Sequence, residues 1–151
     1  MKTYALCPIS NATVNEHAAR AGALLTVTAI AIFLLTQSVW PILLLAIDFL
    51  LRAIPRPRYS PIAIASGWVV RRLPLQPHPI NAGPKIFAAR IGFLMASLSL
   101  VAFAVVPGPL AYLVASALGL FALLEGAAGL CVACKIYPLV YRHLYNGSFA
   151  S

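Results

Sequence analysis

Residues 18–35 read AARAGALLTVTAIAIFLL, and after Thr36-Gln37-Ser38 residues 39–54 read VWPILLLAIDFLLRAI. Two apolar runs separated by three polar residues leave no room for anything but a tight turn between helices. Working outward, a third run covers residues 86–106 and is broken by Pro107-Gly108-Pro109, and a fourth covers residues 110–134. No backbone polar group can stay unpaired in hydrocarbon, so such runs must be helices or strands of a closed barrel. Their unbroken apolar character, with no polar alternation, selects helices. The expectation is an all-α polytopic membrane protein: four transmembrane helices in two hairpins, forming a single integral membrane domain over residues 1–151. The second run is short for a full crossing, so a re-entrant segment stays open as a reading.

Composition agrees with that choice. Of the 151 residues, 62% are hydrophobic and 9% charged, whereas soluble domains carry about a quarter charged residues. A net charge of +8 would suit nucleic acid if it formed one patch with stacking aromatics, but the basic residues are dispersed between apolar segments. Anionic phospholipid headgroups are therefore the expected partner, and no nucleic acid is expected. The N-terminal residues are polar, with Asn11, Asn15, Glu16 and His17 ahead of the first apolar run, so they do not read as a cleaved signal peptide.

Charge placement predicts orientation. Lys2, Arg20, Arg52, Arg56, Arg58, Arg71, Arg72, Lys85, Arg90, Lys135 and Arg142 all fall toward one end of the expected bundle, and the two opposite turns carry no charge. The positive-inside rule then puts both termini and the loop at residues 55–85 in the cytoplasm of a bacterial-type cell, with the spans in its inner membrane. That loop contains seven of the twelve prolines, so most of it should be extended or turning. Within it, Ser60-Pro61 matches an N-cap followed by a first-turn proline, and residues 62–72, with Trp68 and Arg71-Arg72, fit a helix at the headgroup level; a solvated basic loop anchored by one tryptophan is the alternative reading.

Cys131-Val132-Ala133-Cys134-Lys135 is the strongest chemical motif. Residues three apart share a helix face, so both sulfurs can form a disulfide, share a soft metal ion or relay a sulfur atom, and Lys135 could favour a thiolate. A helix C-terminus would oppose that ionisation. Buried cysteine is also an ordinary packing residue. Cys7 returns to the same membrane face and is a candidate resolving thiol. Any metal would use Cys131, Cys134 and Cys7; zinc fits poorly because no histidine stands at finger-like spacing, and copper(I) tolerates such a set better. No cofactor is expected.

Ionisable residues within the apolar runs form an expected intramembrane charge network of Arg20, Asp48, Arg52, Arg90 and Glu125. Asp48 and Arg52 are four apart and can pair on one helix face, as can Glu16 and Arg20. Glu125 has no local cation, which predicts a partner across the bundle in Arg20 or Arg90. Gly119, Gly126 and Gly129 should let a neighbouring helix approach closely. No phosphate-binding glycine loop, nucleophile elbow or zinc-protease histidine pair is present.

Taken in order, Val14-Asn15-Glu16 with Ala19-Arg20, Asp48-Phe49-Leu50-Leu51-Arg52, Arg58-Tyr59-Ser60-Pro61, Ala82-Gly83-Pro84-Lys85, and Leu124-Glu125 leading to Gly129, Cys131 and Cys134-Lys135-Ile136-Tyr137 resemble the bacterial membrane proteins grouped as domain of unknown function 4395. The resemblance spans nearly the whole chain. It implies an integral membrane protein with the paired cysteines as its defining site. It also implies an association with thioredoxin-like or rhodanese-like proteins on the cytoplasmic side, and hence thiol-disulfide or persulfide handling. The rival expectations are a carrier for a soft metal or sulfur species, and a non-catalytic membrane subunit or scaffold.

Overall fold

The structure is a computed structural model describing residues 13–54, 59–73, 76, 78–106, 108–132, 135, 136 and 139. Cys7, Cys134, Lys2, Arg56, Arg58 and Arg142 lie outside the described residues. A short strand β1 (Thr13–Asn15) leads into α1 (Glu16–Thr36); α2 (Val39–Ala53) and α3 (Pro61–Arg72) follow, then strand β2 (Pro79–Asn81), α4 (Ala82–Val105) and α5 (Leu110–Ala128). The fold is helical as expected. One addition is the antiparallel pairing of β1 with β2, in which Val14 faces Ile80, extended by a Glu16 N–H to His78 carbonyl bond of 3.0 Å. This pairing holds the start of α1 beside the start of α4.

Local chemistry explains the helix boundaries. The Asn15 side chain accepts from the His17 N–H at 3.1 Å, capping α1. At the other end Gln37 adopts a left-handed conformation with φ 51° and returns its N–H to the Phe33 carbonyl. That conformation is uncommon for a side-chain-bearing residue, and here it makes the sharp reversal into α2. Ser60 caps α3 through the Ala63 N–H at 3.1 Å, with Pro61 in the first turn, as its sequence predicts. By contrast, α5 stops at Ala128, short of the expected limit at 134. Gly129 takes φ 66° and donates to the Glu125 carbonyl, while the Leu130 N–H returns to the Leu124 carbonyl. Those two bonds close the helix end and satisfy carbonyls that would otherwise be orphaned.

Among the described residues three helices, α1, α4 and α5, are long and apolar enough to cross a membrane. With 15 residues, α2 extends only about 22 Å at helical rise, less than the roughly 30 Å hydrocarbon thickness. Only 28%, 33% and 28% of the spanning windows of α1, α4 and α5 are buried within the chain. Their remaining faces carry exposed Leu24, Leu35, Leu94, Leu98, Leu113 and Leu120, a surface suited to lipid and unsuited to water.

The core forms where α1 packs on α2 and α5, and α4 packs on the same two helices. Phe33, Ile42, Leu45, Ala96 and Ala115 are fully enclosed there. Toward the uncharged turns, Phe33 stacks on Tyr112 at 5.6 Å and meets Phe103 edge-on at 5.8 Å. A buried Ser99 hydroxyl donates to the Ala111 carbonyl and ties α4 to α5. The expected close approach at glycine occurs between α5 and α1: a Cβ at Gly126 would stand 2.8 Å from Leu24, and one at Gly119 3.2 Å from Ile30. Finally, α3 lies against α1, burying Ser66 and Val70 and leaving Ile64 and Trp68 exposed.

Candidate functional site

At the end of the bundle opposite the Gln37 reversal, the starts of α1 and α4 meet the ends of α2 and α5, and their ionisable residues come together. Two carboxylates anchor the arrangement. Asp48 on α2 is 1% exposed and its Oδ1 accepts from the Ser60 hydroxyl at 2.6 Å and the Ile62 N–H at 2.9 Å. Its Oδ2 forms an ion pair with Arg52 Nε at 2.8 Å, the expected one-turn spacing. Arg52 Nε also donates to Ser60 Oγ at 3.2 Å. Burying a carboxylate is costly unless it is paired and hydrogen-bonded, and Asp48 is both. It thereby pins the beginning of α3 to α2.

Glu125 on α5 is held differently. Its carboxylate pairs with the Lys85 ammonium from α4, and both side chains remain 20% exposed. The expectation of Arg20 or Arg90 as its partner is corrected by depth. Lys85 stands three residues into α4 and Glu125 three residues before the end of α5, so they meet at one level, whereas Arg90 starts more than a turn deeper. Arg90 is half-buried on α4 and forms no ion pair among the described residues. Arg20 instead pairs with Glu16 at 3.3 Å, the expected local pair, and Glu16 also faces His78 Nδ1 at 3.3 Å. The Arg20 guanidinium lies against Gly129, where a Cβ would stand 2.8 Å from Cζ. A cation there meets the negative end of the α5 dipole.

A cavity of about 310 Å³ opens between the helices at this end. Arg52, Lys85, Glu125 and Cys131 lie on its wall, with Thr26 of α1 and Ser66 of α3. The rest is apolar, reaching Met95, Leu118 and Phe121 toward the middle of the bundle. Cys131 follows the break at Gly129 and so does not sit on the last turn of α5 as expected. Its carbonyl accepts from the Lys135 N–H at 3.1 Å, which resumes a helical turn after the break. Lys135 itself is exposed and is not on the cavity wall. The pairing of Cys131 with Cys134, and the return of Cys7, lie outside the described residues. Among the described residues no group of three His, Cys, Asp or Glu side chains is placed to hold a metal ion.

On one continuous helix, six residues would turn Glu125 and Cys131 to different faces. The cavity brings them to one wall because the helix ends between them. Lys85 as a site residue and Ser60 as the link between Asp48 and Arg52 were not among the residues expected from the sequence. The unpaired state of Glu125 within its own helix was the available signal for the first, and depth would have singled out Lys85.

No curated protein and no solved structure matches the chain. The family described as domain of unknown function, DUF4395, matches residues 14–142, and with most of its length covered the chain belongs to that family.

Proposed function

We propose that this is an integral membrane protein of a bacterial inner membrane that handles thiols or sulfur at Cys131, with Cys134 as its redox partner. In this reading α1, α2, α4 and α5 cross as two hairpins, with α2 completing its short crossing by local thinning of the bilayer. The termini, α3 and the charged end of the bundle face the cytoplasm, as positive-inside placement favours. The observation that carries the chemistry is the position of Cys131 on the wall of a largely apolar cavity that also holds the Lys85–Glu125 ion pair. In such surroundings the ammonium favours a thiolate and the carboxylate can exchange a proton.

The step is a thiol-disulfide exchange. The Cys131 thiolate attacks one sulfur of a disulfide, forming a mixed disulfide and releasing the other sulfur as a thiolate that takes up a proton. Cys134, losing its proton, then attacks Cys131 Sγ, giving the Cys131–Cys134 disulfide and releasing the second thiol. The cysteine pair loses two electrons and the substrate gains them. If the substrate is a persulfide, the Cys131 thiolate attacks its outer sulfur, the donor S–S bond breaks, the donor's inner sulfur leaves as a thiolate that takes up a proton, and Cys131 carries the persulfide. A cytoplasmic thioredoxin-like or rhodanese-like protein is the partner that such chemistry calls for.

The test is maleimide trapping of the full-length protein in membranes, from each side, before and after a mild oxidant. Cys131 and Cys134 should lose reactivity together and regain it with reductant, and Cys134→Ser should leave Cys131 reactive after oxidation. Independent, oxidant-insensitive labelling of the two would overturn the redox reading. Loss of labelling on adding copper(I) under reducing conditions would favour the soft-metal carrier in its place.

A further inference from the structure

The cavity is polar at one end and apolar at the other, and that gradient points to an occupant. Arg52, Lys85 and Ser66 line it near the headgroup-level helix α3, whereas Met95 and Leu118 line its inner part. From Lys85 to Met95 is ten residues of α4, about 15 Å at helical rise. The volume of about 310 Å³ is at the lower end of the range for small-molecule sites and far below that needed by a protein segment with its own fold.

Charge decides the head group. The chain has eleven Lys and Arg against three carboxylates, and two of those carboxylates, on Asp48 and Glu125, are already occupied by Arg52 and Lys85. On the cavity wall itself, among the described residues, Arg52 and Lys85 stand against the carboxylate of Glu125, a net positive charge that favours a further anion. Arg52 lines the wall with its Nε engaged by Asp48 and Ser60, while its Nη2 is buried without a hydrogen-bond partner among the described residues. An unmatched buried donor is unfavourable, so a small shift of the guanidinium toward an anion in the cavity would be repaid by a new charge-assisted bond.

We infer that the cavity binds a single-chain anionic amphiphile, its head group on Arg52 and Lys85 beside Cys131 and its apolar chain along Met95 and Leu118. The inference goes beyond the thiol reading and does not depend on Cys131 changing redox state. Fatty carboxylates and alkyl phosphates share this chemistry.

The test is equilibrium dialysis of tritiated decanoate, decyl phosphate, decan-1-ol and acetate against the full-length protein in nanodiscs, with empty nanodiscs subtracted. Decanoate or decyl phosphate should bind about tenfold more tightly than decan-1-ol, the scale of one charge-assisted hydrogen bond; the tighter of the two identifies the natural head group. Acetate, without a chain, should not bind. Lys85→Gln should bring the anion down to the level of the alcohol, and Met95→Trp, which fills the inner cavity, should abolish binding of both. Leu113→Trp, on the exposed outer face of α5, should leave binding unchanged. Equal binding of decanoate and decan-1-ol, or retention of binding in Met95→Trp, would show only lipid partitioning and overturn the inference. Dialysis of the reduced protein reads binding without any change at sulfur, and the maleimide test reads reactivity without an amphiphile, so failure of one is separable from failure of the other.

Discussion

Asp48 and Glu125 are both carboxylates set among apolar helices, yet the first is sealed and the second faces a cavity. Every partner of Asp48 lies between four and fourteen residues away in the chain, on α2 or at the start of α3. Glu125 reaches across to another helix, and its pair with Lys85 keeps contact with open space. The first arrangement converts a buried charge into a fastener for α3. The second leaves a charge pair that can reorganise when something enters the cavity. Enclosure and completeness of pairing, more than the identity of the side chain, separate a sealed carboxylate from one that keeps contact with open space.

Breaking the fastener should have the largest effect. Asp48→Ala leaves Arg52 as an uncompensated, largely enclosed cation and removes the acceptor of Ser60 and Ile62, so a loss of about 3–5 kcal/mol is expected. Thermal unfolding of the purified protein in detergent would register it as a large fall in Tm. Should Asp48→Ala unfold no earlier than wild type, the contrast drawn between the two carboxylates is wrong.

The next effect belongs to the Glu125 side. Gly129→Ala requires a left-handed alanine and pushes a methyl group into the Arg20 guanidinium, which should cost about 1–3 kcal/mol through backbone strain and overpacking. It should also change the maleimide reactivity of Cys131, which follows the break two residues later. Unaltered stability and unaltered reactivity together would mean that the α5 break does not position the thiol.

Ser60→Ala removes the α3 cap and one of the bonds to Asp48, for an expected loss of about 1 kcal/mol. Limited proteolysis near residues 59–73 should accelerate while the bundle persists. If α3 is held by its contact with α1 alone, the cleavage rate will not move.

Glu125→Gln should change stability least, by about 1 kcal/mol or less, because the group is partly open and its loss leaves Lys85 able to reach water. Its effect is expected in reactivity. With the carboxylate gone, the Lys85 charge favours thiolate at Cys131 and alkylation at fixed pH should speed up; Lys85→Gln should slow it. Rates that move in the same direction in the two variants would remove the charge pair from any account of the thiol.

Reading along the chain found the features that depend on near neighbours. The Asp48–Arg52 and Glu16–Arg20 pairs follow from four-residue spacing on a helix, and Ser60-Pro61 announces the start of α3 through the geometry of a first turn. It also found that Glu125 needed help from elsewhere. It chose the wrong cation because both proposed partners were judged by sequence position, whereas pairing depends on depth along the bundle. It extended α5 through Gly129 because a glycine inside an apolar run reads as a close-packing residue as readily as a helix end. At Gly129 the left-handed backbone and the guanidinium of Arg20 belong to one another, and Arg20 lies 109 residues earlier in the chain.

What the order of amino acids determined alone is helical character, the apolar runs and the gathering of charge toward particular helix ends, because these follow from hydrogen bonding and hydrophobicity within one turn or one run. Only the tertiary structure decided that Lys85 meets Glu125, that Arg20 lies against the end of α5, and that Cys131 shares a cavity with both Arg52 and the Lys85–Glu125 pair. Such encounters depend on how far each helix is rotated and slid against its neighbours, and close packing of side chains from separate elements sets those values.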